Sequence, residues 1–107
     1  MVKRIAFSEN EKSTFSNMIE RTKHCLNNTK PADHAGEIAC ETAYFSEQTN
    51  YTYHTHPRGV PYPSQADINT TARFKKKYLI IGLVPTREVI VWGTYPSYNR
   101  MMARFRL

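Results

Sequence analysis

The hydrophobic residues near the start of the chain recur at intervals of three and four positions, which is the spacing of one face of an α-helix. The residues on that face are Phe15, Met18, Ile19, Thr22 and Leu26. Ser8 and Glu11 precede them with the spacing of a capping box, in which each side chain bonds the other residue's backbone N–H. The periodicity and the cap therefore predict a helix that ends near Asn27–Asn28. The residues before it, Val2–Phe7, are predicted to form a short strand.

Two strands are predicted after this helix. Gly36–Phe45 is rich in Ile, Ala, Cys, Thr and Tyr, a composition typical of a largely buried strand. Asn50–His56, in which Tyr51 and Tyr53 alternate with other residues, can be its neighbour. Ser46–Thr49 makes a plausible turn between them.

A rigid loop and a second helix should follow. Pro57–Pro63 contains three prolines and a glycine, which predicts irregular and restricted backbone. Ser64 has the character of an N-cap, and Asp67 would then lie in the first turn of a helix that runs to about Lys75.

The last part of the chain has the pattern of three strands. Tyr78–Val84 and Glu88–Gly93 are two apolar runs joined across Pro85–Arg87, which predicts a hairpin. Beyond it, Met101, Ala103, Phe105 and Leu107 alternate with Arg100, Met102, Arg104 and Arg106. This period of two predicts a strand with one buried face, and a short amphipathic helix is the weaker alternative.

Length and composition predict one folded domain over residues 1–107. The chain has 107 residues, of which 40% are hydrophobic, which is enough for a single core. The longest apolar run, Tyr78–Val84, is much shorter than the roughly 20 residues that cross a bilayer. Met1–Arg4 leads into no long apolar signal segment. We therefore expect a cytoplasmic protein with no membrane partner.

The cysteines and the basic charge carry weaker predictions. Cys25 and Cys40 have no CxxC or CxxH spacing, so buried free thiols are expected in place of a disulfide scaffold or a zinc finger. The formal net charge of +6 is compatible with a nucleic-acid partner. A solvated surface is the favoured interpretation of Lys75–Lys77 and of Arg100, Arg104 and Arg106.

Two histidines and one aspartate predict a metal site. His54 and His56 are two residues apart on a predicted strand, so their rings point to the same side. Asp67 can add a carboxylate from the start of the following helix. Catalytic zinc commonly has three protein ligands at about 2.0–2.2 Å and one open position. We therefore predict a Zn²⁺ site with these three residues as ligands.

Hydrolysis at such a site also requires a base, so a glutamate should lie nearby. The candidates are Glu37, Glu41 and Glu47, and Glu37 is favoured because it begins the strand expected to flank the histidines. Glu41 has the same strand parity, so parity does not choose between them. The Ser64 hydroxyl could stabilise negative charge on a substrate oxygen or cap its helix, two roles that compete for one side chain. Possible walls of a substrate groove are Tyr51, Tyr53 and Tyr62.

Taken together, the strings YHTHP at Tyr53–Pro57 and PSQADI at Pro63–Ile68 resemble the JAMM motif of the MPN (JAB) metalloprotease family. The resemblance extends over about residues 5–95, since His34 precedes Glu37 by three residues and the order of strands and helices is similar. It implies that Glu37 is the general base and that Ser64 stabilises the oxyanion. The zinc ligands that it implies are His54, His56 and Asp67.

The resemblance also implies a fold and a function. The fold is a cytidine-deaminase-like α/β sandwich, a curved mixed sheet flanked by helices. The function is a zinc metallopeptidase that hydrolyses a peptide or isopeptide bond at the C-terminal tail of a ubiquitin-like or sulfur-carrier protein. A chain this short has no room for the long insertions of eukaryotic members, so a minimal prokaryotic or viral member is expected. The alternative is a non-catalytic or weakly active basic binding module of the same fold, similar to the RadC branch, with a nucleic-acid or protein partner.

Overall fold

A five-stranded sheet lies between two helices in the computed structural model, which describes residues 6–28 and 40–107. The elements are α1 Glu9–Asn28, β1 Ala43–Phe45, β2 Tyr51–His56, α2 Gln65–Arg73, β3 Tyr78–Leu83, β4 Glu88–Gly93 and β5 Arg100–Arg106. This confirms the predicted α/β sandwich with a mixed sheet flanked by helices. Most of the strand predicted over Val2–Phe7, and residues 36–39 of the strand predicted over Gly36–Phe45, lie outside the described residues.

Helix α1 begins with the predicted capping box. The Ser8 N–H donates to Glu11 Oε1 at 3.0 Å, and the Glu11 N–H donates to Ser8 Oγ at 3.1 Å. The apolar stripe of the helix, which includes Phe15 and Met18, is buried against the sheet. Neither α1 nor α2 is long and apolar enough to cross a membrane.

The strands lie in the order β1-β2-β3-β4-β5, and only β2 and β3 are parallel. A parallel pair needs a crossover connection, which α2 provides here. The end of β2 and the start of α2 therefore meet at the end of the sheet where β2 and β3 finish. In open α/β sheets, ligands commonly bind in the crevice outside the carboxyl ends of such strands.

Strand β2 is buried on both faces, because each helix covers one of them. Tyr53 belongs to the core on the α1 side and donates from its hydroxyl to the Phe15 carbonyl at 3.2 Å. Thr52 faces α2, where its hydroxyl lies 2.6 Å from that of Thr71. Alternate residues of a strand point to the same face, so His54 and His56 lie with Thr52 on the face of β2 that α2 covers.

Strand β5 confirms the predicted strand and the inward packing of Ala103, Phe105 and Leu107, but its first residues differ from the prediction. Met101 was expected to point inward, yet 43% of its surface is exposed, and Met102 packs against the core. The pairing of β4 with β5 shifts register between Val91 and Trp92. Because side chains alternate with a period of two, one such irregularity exchanges the two faces of the strand beyond it.

The prediction of free thiols was wrong, because Cys25 and Cys40 form a disulfide. Cys25 lies near the end of α1, and Cys40 lies three residues before β1. Their Cα atoms are 5.6 Å apart, within the usual range for a disulfide. The bond therefore ties the first helix to the polypeptide that leads into the edge strand.

The lysine cluster is also only partly a solvated surface, because Lys76 is buried. Its ammonium group donates to the Ser46 carbonyl at 2.6 Å and to the Thr49 carbonyl at 2.8 Å. Lys75 and Lys77 are exposed, in agreement with the prediction. Lys76 therefore fastens the turn between β1 and β2 to the segment after α2.

Candidate metal centre

The three predicted metal ligands converge at the junction of β2 and α2. His54 Nε2 lies 2.8 Å from Asp67 Oδ2, and His56 Nε2 lies 3.1 Å from the same oxygen. The two Nε2 atoms are 3.0 Å apart. Both histidines are buried. The structure thus places one carboxylate and two imidazole groups around a single point, and among the described residues this is the one such group of three.

The environment of His56 fixes which of its ring nitrogens can bind a cation. Nδ1 lies 2.6 Å from the Val60 carbonyl oxygen, which can only accept a hydrogen bond, so Nδ1 carries the hydrogen. Nε2 of the neutral ring then presents a lone pair toward Asp67. A lone pair and a carboxylate 3.1 Å apart need a positive charge between them, either a proton or a metal ion. Such a hydrogen bond to the distal ring nitrogen is typical of metal-binding histidines.

The electrostatics of Asp67 favour its charged form. Burial opposes ionisation, but hydrogen bonds with His54 and His56 outweigh it and hold the pKa of Asp67 far below its ordinary value. For His56, burial disfavours the charged form and lowers the pKa, but hydrogen bonds to Asp67 and the Val60 carbonyl outweigh burial and raise the pKa. Negative charge at Asp67 is therefore stable, as a ligand to a divalent cation requires.

The spacing of the ligand atoms fits a small tetrahedral ion. Donors bound to one ion at about 2.0–2.2 Å with tetrahedral angles stand roughly 3.3–3.6 Å apart. The observed separations of 2.8–3.1 Å are slightly shorter. If each ligand side chain moved outward by a few tenths of an ångström, the three donor atoms would have the spacing that the ion requires. The donor set, two imidazole nitrogens and one carboxylate oxygen, suits zinc.

The loop between β2 and α2 is held by contacts that sequence reasoning did not identify. Trp92 donates from its indole N–H to the Pro61 carbonyl at 2.9 Å. Gly59 has a φ of +75°, and a Cβ there would lie 3.2 Å from the ring of Pro85. These contacts fix the position of the Val60 carbonyl and so the orientation of His56. No motif marks a backbone carbonyl, which is why the sequence did not reveal it.

Strand β2 is also fixed from its other face. Thr55, between the two histidines, has its hydroxyl oxygen 2.8 Å from that of Thr22 on α1. The same oxygen accepts the N–H of Thr42 at 2.9 Å. These buried hydroxyl groups attach the histidine strand both to α1 and to the segment between Cys40 and β1.

Ser64 is the N-cap of α2, and this role leaves its hydroxyl hydrogen available. Its Oγ accepts the Asp67 N–H at 3.1 Å, and the Ser64 N–H donates to Asp67 Oδ2 at 2.9 Å. A hydroxyl that accepts one bond can still donate another. One hydroxyl can therefore serve both roles, since capping uses a lone pair and oxyanion stabilisation would use the hydrogen. The capping role is confirmed, and the oxyanion role stays a prediction.

The candidate bases have different positions. Glu37, the favoured base, lies outside the described residues, as does His34. Glu41 is exposed, lines the cavities beside both histidines, and contributes to the raised pKa of His56. Glu47 lies in the turn at the opposite end of β2, beside Lys75, and is not part of the site.

The three tyrosines predicted as groove walls also separate. Tyr51 and Tyr53 belong to the core on the α1 side, away from the ligands. Tyr62 is 64% exposed and lines a cavity of about 320 Å³ next to His56. Of these three tyrosines, only Tyr62 therefore has its ring in a position to contact a substrate.

Comparisons with known proteins agree with this geometry. The family model described as prokaryotic homologs of the JAB domain matches residues 4–95. A UPF0758 protein of Clostridium botulinum (strain Loch Maree / Type A3) is 38% identical over 58 residues, which cover 54% of this chain and 25% of that protein. A UPF0758 protein of Clostridium novyi (strain NT) is 38% identical over 50 residues, which cover 47% of this chain and 22% of that protein.

The matched segment thus spans about a quarter of the length of these curated relatives. No solved structure shows significant similarity to the chain. The family match covers the helix α1, the histidine strand and the aspartate helix together. Because this match covers most of the chain, and because the motif residues converge in the structure, the chain belongs to the family of prokaryotic JAB-domain proteins.

Proposed function

We propose that this protein is a zinc-dependent peptidase that hydrolyses peptide or isopeptide bonds. The observation that carries the proposal is the convergence of His54 Nε2, His56 Nε2 and Asp67 Oδ2 within 2.8–3.1 Å of one another. The bond from His56 Nδ1 to the Val60 carbonyl leaves the correct nitrogen for a metal. The resemblance to the JAMM motif supports the same chemistry.

When bound, a zinc ion at these ligands supplies Lewis acidity, which lowers the pKa of water and polarises a carbonyl group. The Ser64 hydroxyl hydrogen is free to bond the carbonyl oxygen as it gains negative charge. A glutamate carboxylate takes a proton from the attacking water and passes it to the leaving nitrogen. Glu37 is the proposed base, and Glu41 is the alternative because it lies at the rim of the site.

The substrate in this proposal is an extended protein segment, such as the C-terminal tail of a ubiquitin-like or sulfur-carrier protein. Among the strands that the structure describes, β1 is an edge strand paired only with β2. Its residues Ala43–Phe45 are all exposed. An extended peptide can add to such an edge through main-chain hydrogen bonds, which would direct it toward His54.

The proposal is tested by the metal content of the protein and one matched pair of variants. We expect about one zinc per chain by elemental analysis of protein prepared without chelators. His54→Ala should lose it, because two ligands hold zinc far less tightly than three. His24→Ala is the control, since His24 is exposed on α1 and, among the described residues, its ring bonds Asn28 one turn away. A folded native protein that takes up no zinc would refute the site.

A second candidate function is a basic binding module for nucleic acid. It is favoured by the net charge of +6 and by the exposed Arg100, Arg104 and Arg106 on edge strand β5. Arg104, however, is paired with Glu88 at 2.7 Å, and Lys76 is buried, so less charge is available than the sequence indicates. Binding to an oligonucleotide would weaken by orders of magnitude between about 50 and 200 mM salt, whereas peptide hydrolysis would change much less.

A further inference from the structure

A cavity between β1 and α2 opens directly onto the candidate metal centre. Its volume is about 270 Å³, and His54 and Asp67 form part of its lining. Ala43 and Phe45 contribute from β1, and Ala66 contributes from α2. We call this space the β1–α2 cavity. A group bound in it would be immediately beside a carbonyl placed at the ligands.

The register of the sheet explains why the cavity is there. Ala43 is paired with His54, and Phe45 is paired with Thr52, so these side chains share the face that α2 covers. Alanine at position 43 and alanine at position 66, on the facing helix, leave the space between strand and helix unfilled. Longer side chains at either position would occupy it.

The lining is mainly apolar, and its buried polar groups already have partners. The hydroxyls of Thr52 and Thr71 lie 2.6 Å from each other, and both residues are more than nine-tenths buried. Phe45 stacks on Phe74 with ring centroids 4.5 Å apart, which gives the cavity an aromatic neighbour. No unsatisfied buried polar atom is found among the described side chains, so nothing there requires a polar ligand.

The charges around the cavity disfavour an acidic occupant. The charged residues in its described lining are Glu41 and Asp67, which are both acidic. Asp67 is engaged by the two histidines. Glu41 is exposed, and its charge is screened by solvent. Burial of apolar surface is therefore the main contribution that the cavity offers.

We infer that the β1–α2 cavity binds an apolar side chain of the substrate residue next to the bond that is cleaved. The side chain is of leucine or phenylalanine size, because glycine would leave the cavity filled with water. This inference rests on the proposed peptidase function and makes it more specific, because it selects extended segments with an apolar residue beside the cleaved bond over tails that end in glycine. It identifies Ala43 and Ala66 as residues that determine specificity, through the space that they leave.

The inference is tested with a mixture of random peptides, the zinc-loaded full chain and mass spectrometry of the cleavage products. We expect leucine, phenylalanine or methionine to be enriched at one position adjacent to the cleaved bond. Ala66→Phe should remove that enrichment and favour glycine or alanine there. Asn69→Phe is the matched control, because Asn69 is exposed on the same helix and does not line the cavity.

A binding measurement complements the cleavage assay and does not depend on turnover. Leucine hydroxamate and glycine hydroxamate share the same metal-binding group, and calorimetry gives their affinities for the zinc-loaded protein. Burial of the leucine side chain should make its affinity about 10- to 100-fold higher. Ala66→Phe should abolish the difference, and Asn69→Phe should keep it.

The outcomes separate this inference from the proposed function. Equal affinities, or cleavage that favours glycine or basic residues at both adjacent positions, would overturn the inference and leave the peptidase standing. Zinc content is measured for every variant. Failure of the native chain to bind zinc would refute the proposed function and this inference with it.

Discussion

Removal of the Cys25–Cys40 disulfide should lower the stability of the domain by an amount that the structure allows us to calculate. The bond joins residues 15 apart in sequence. In the chain-entropy treatment, a cross-link that closes a loop of this length stabilises the folded state by about 3 kcal/mol at 25 °C, because it restricts the unfolded chain. Since domains are stable by only about 5–15 kcal/mol in all, this is a large fraction. The corresponding fall in Tm is roughly 12–24 °C.

The assay is urea unfolding of the native protein with and without reductant, beside the double variant Cys25→Ser/Cys40→Ser. Thiol titration of the unfolded protein first establishes the redox state, which should be no free thiols before reduction and two after it. The reduced protein and the double variant should then have the same midpoint, and reductant should not change the variant. The slope of free energy against urea should rise, because an unfolded chain without the cross-link exposes more surface.

Two results would contradict this reasoning. Two free thiols in protein that was never reduced would show that the bond does not form. A bond that forms but whose removal costs less than about 1 kcal/mol would show that the unfolded chain is not restricted by it as the entropy treatment requires.

Three further predictions concern single residues. Glu37→Gln should keep zinc and lose hydrolysis, because the amide cannot accept a proton; unchanged activity in a peptide assay would assign the base to another glutamate. Gly82→Ala should destabilise the domain by about 1–3 kcal/mol, since a Cβ there would overlap the hydroxyl oxygen of Tyr53. Adding Tyr53→Phe should recover part of that loss in urea unfolding, and strict additivity would contradict the contact. Lys76→Ala should cost about 1–3 kcal/mol, because the Thr49 carbonyl loses its ammonium donor, while the Ser46 carbonyl keeps the N–H and hydroxyl of Thr49. Exposed Lys75→Ala should change stability by less than about 0.5 kcal/mol.

The elements of the fold were predictable where the determining interactions are local. The Ser8–Glu11 capping box, the apolar stripe of α1 and the Ser64–Asp67 start of α2 all depend on residues within one or two turns of each other. The hairpin of β3 and β4 depends on two adjacent runs of apolar residues. Periodicity and capping are therefore sufficient to place these elements.

The features that the sequence did not predict depend on distant residues. Cys25 and Cys40 have no diagnostic spacing, and only the docking of α1 brings their Cα atoms to 5.6 Å. Lys76 belongs to a run of three similar residues, and its burial follows from the position of two carbonyls about 30 residues earlier. The exchange of Met101 and Met102 follows from a shift in pairing that no local pattern records.

The convergence of the three candidate ligands was predictable for the same reason, because it too depends on local structure. His54, His56 and Asp67 are close in sequence, and a strand followed by a capped helix brings their side chains together without any long-range information. The Val60 carbonyl and the β1–α2 cavity were not predictable, because they depend on loop conformation and on the pairing of β1 with β2.

The cytoplasmic location stays a prediction. Disulfides persist mainly in oxidising compartments and are uncommon in the reducing cytosol. The thiol state of the protein, trapped by alkylation at the moment of cell lysis, would therefore test the location and the disulfide together.

Asp67 is at once a predicted metal ligand and the third residue of α2, where its carboxylate closes the helix cap with Ser64. Its ligand oxygen reaches the histidines only after the first turn of the helix has formed. An unfolded chain therefore lacks the complete ligand set, and the free energy of metal binding becomes free energy of folding for the β2–α2 unit. Amide hydrogen exchange in the first turn of α2 should consequently slow when zinc is added. With zinc bound, the proposed metal centre and the start of α2 would form one cooperative unit.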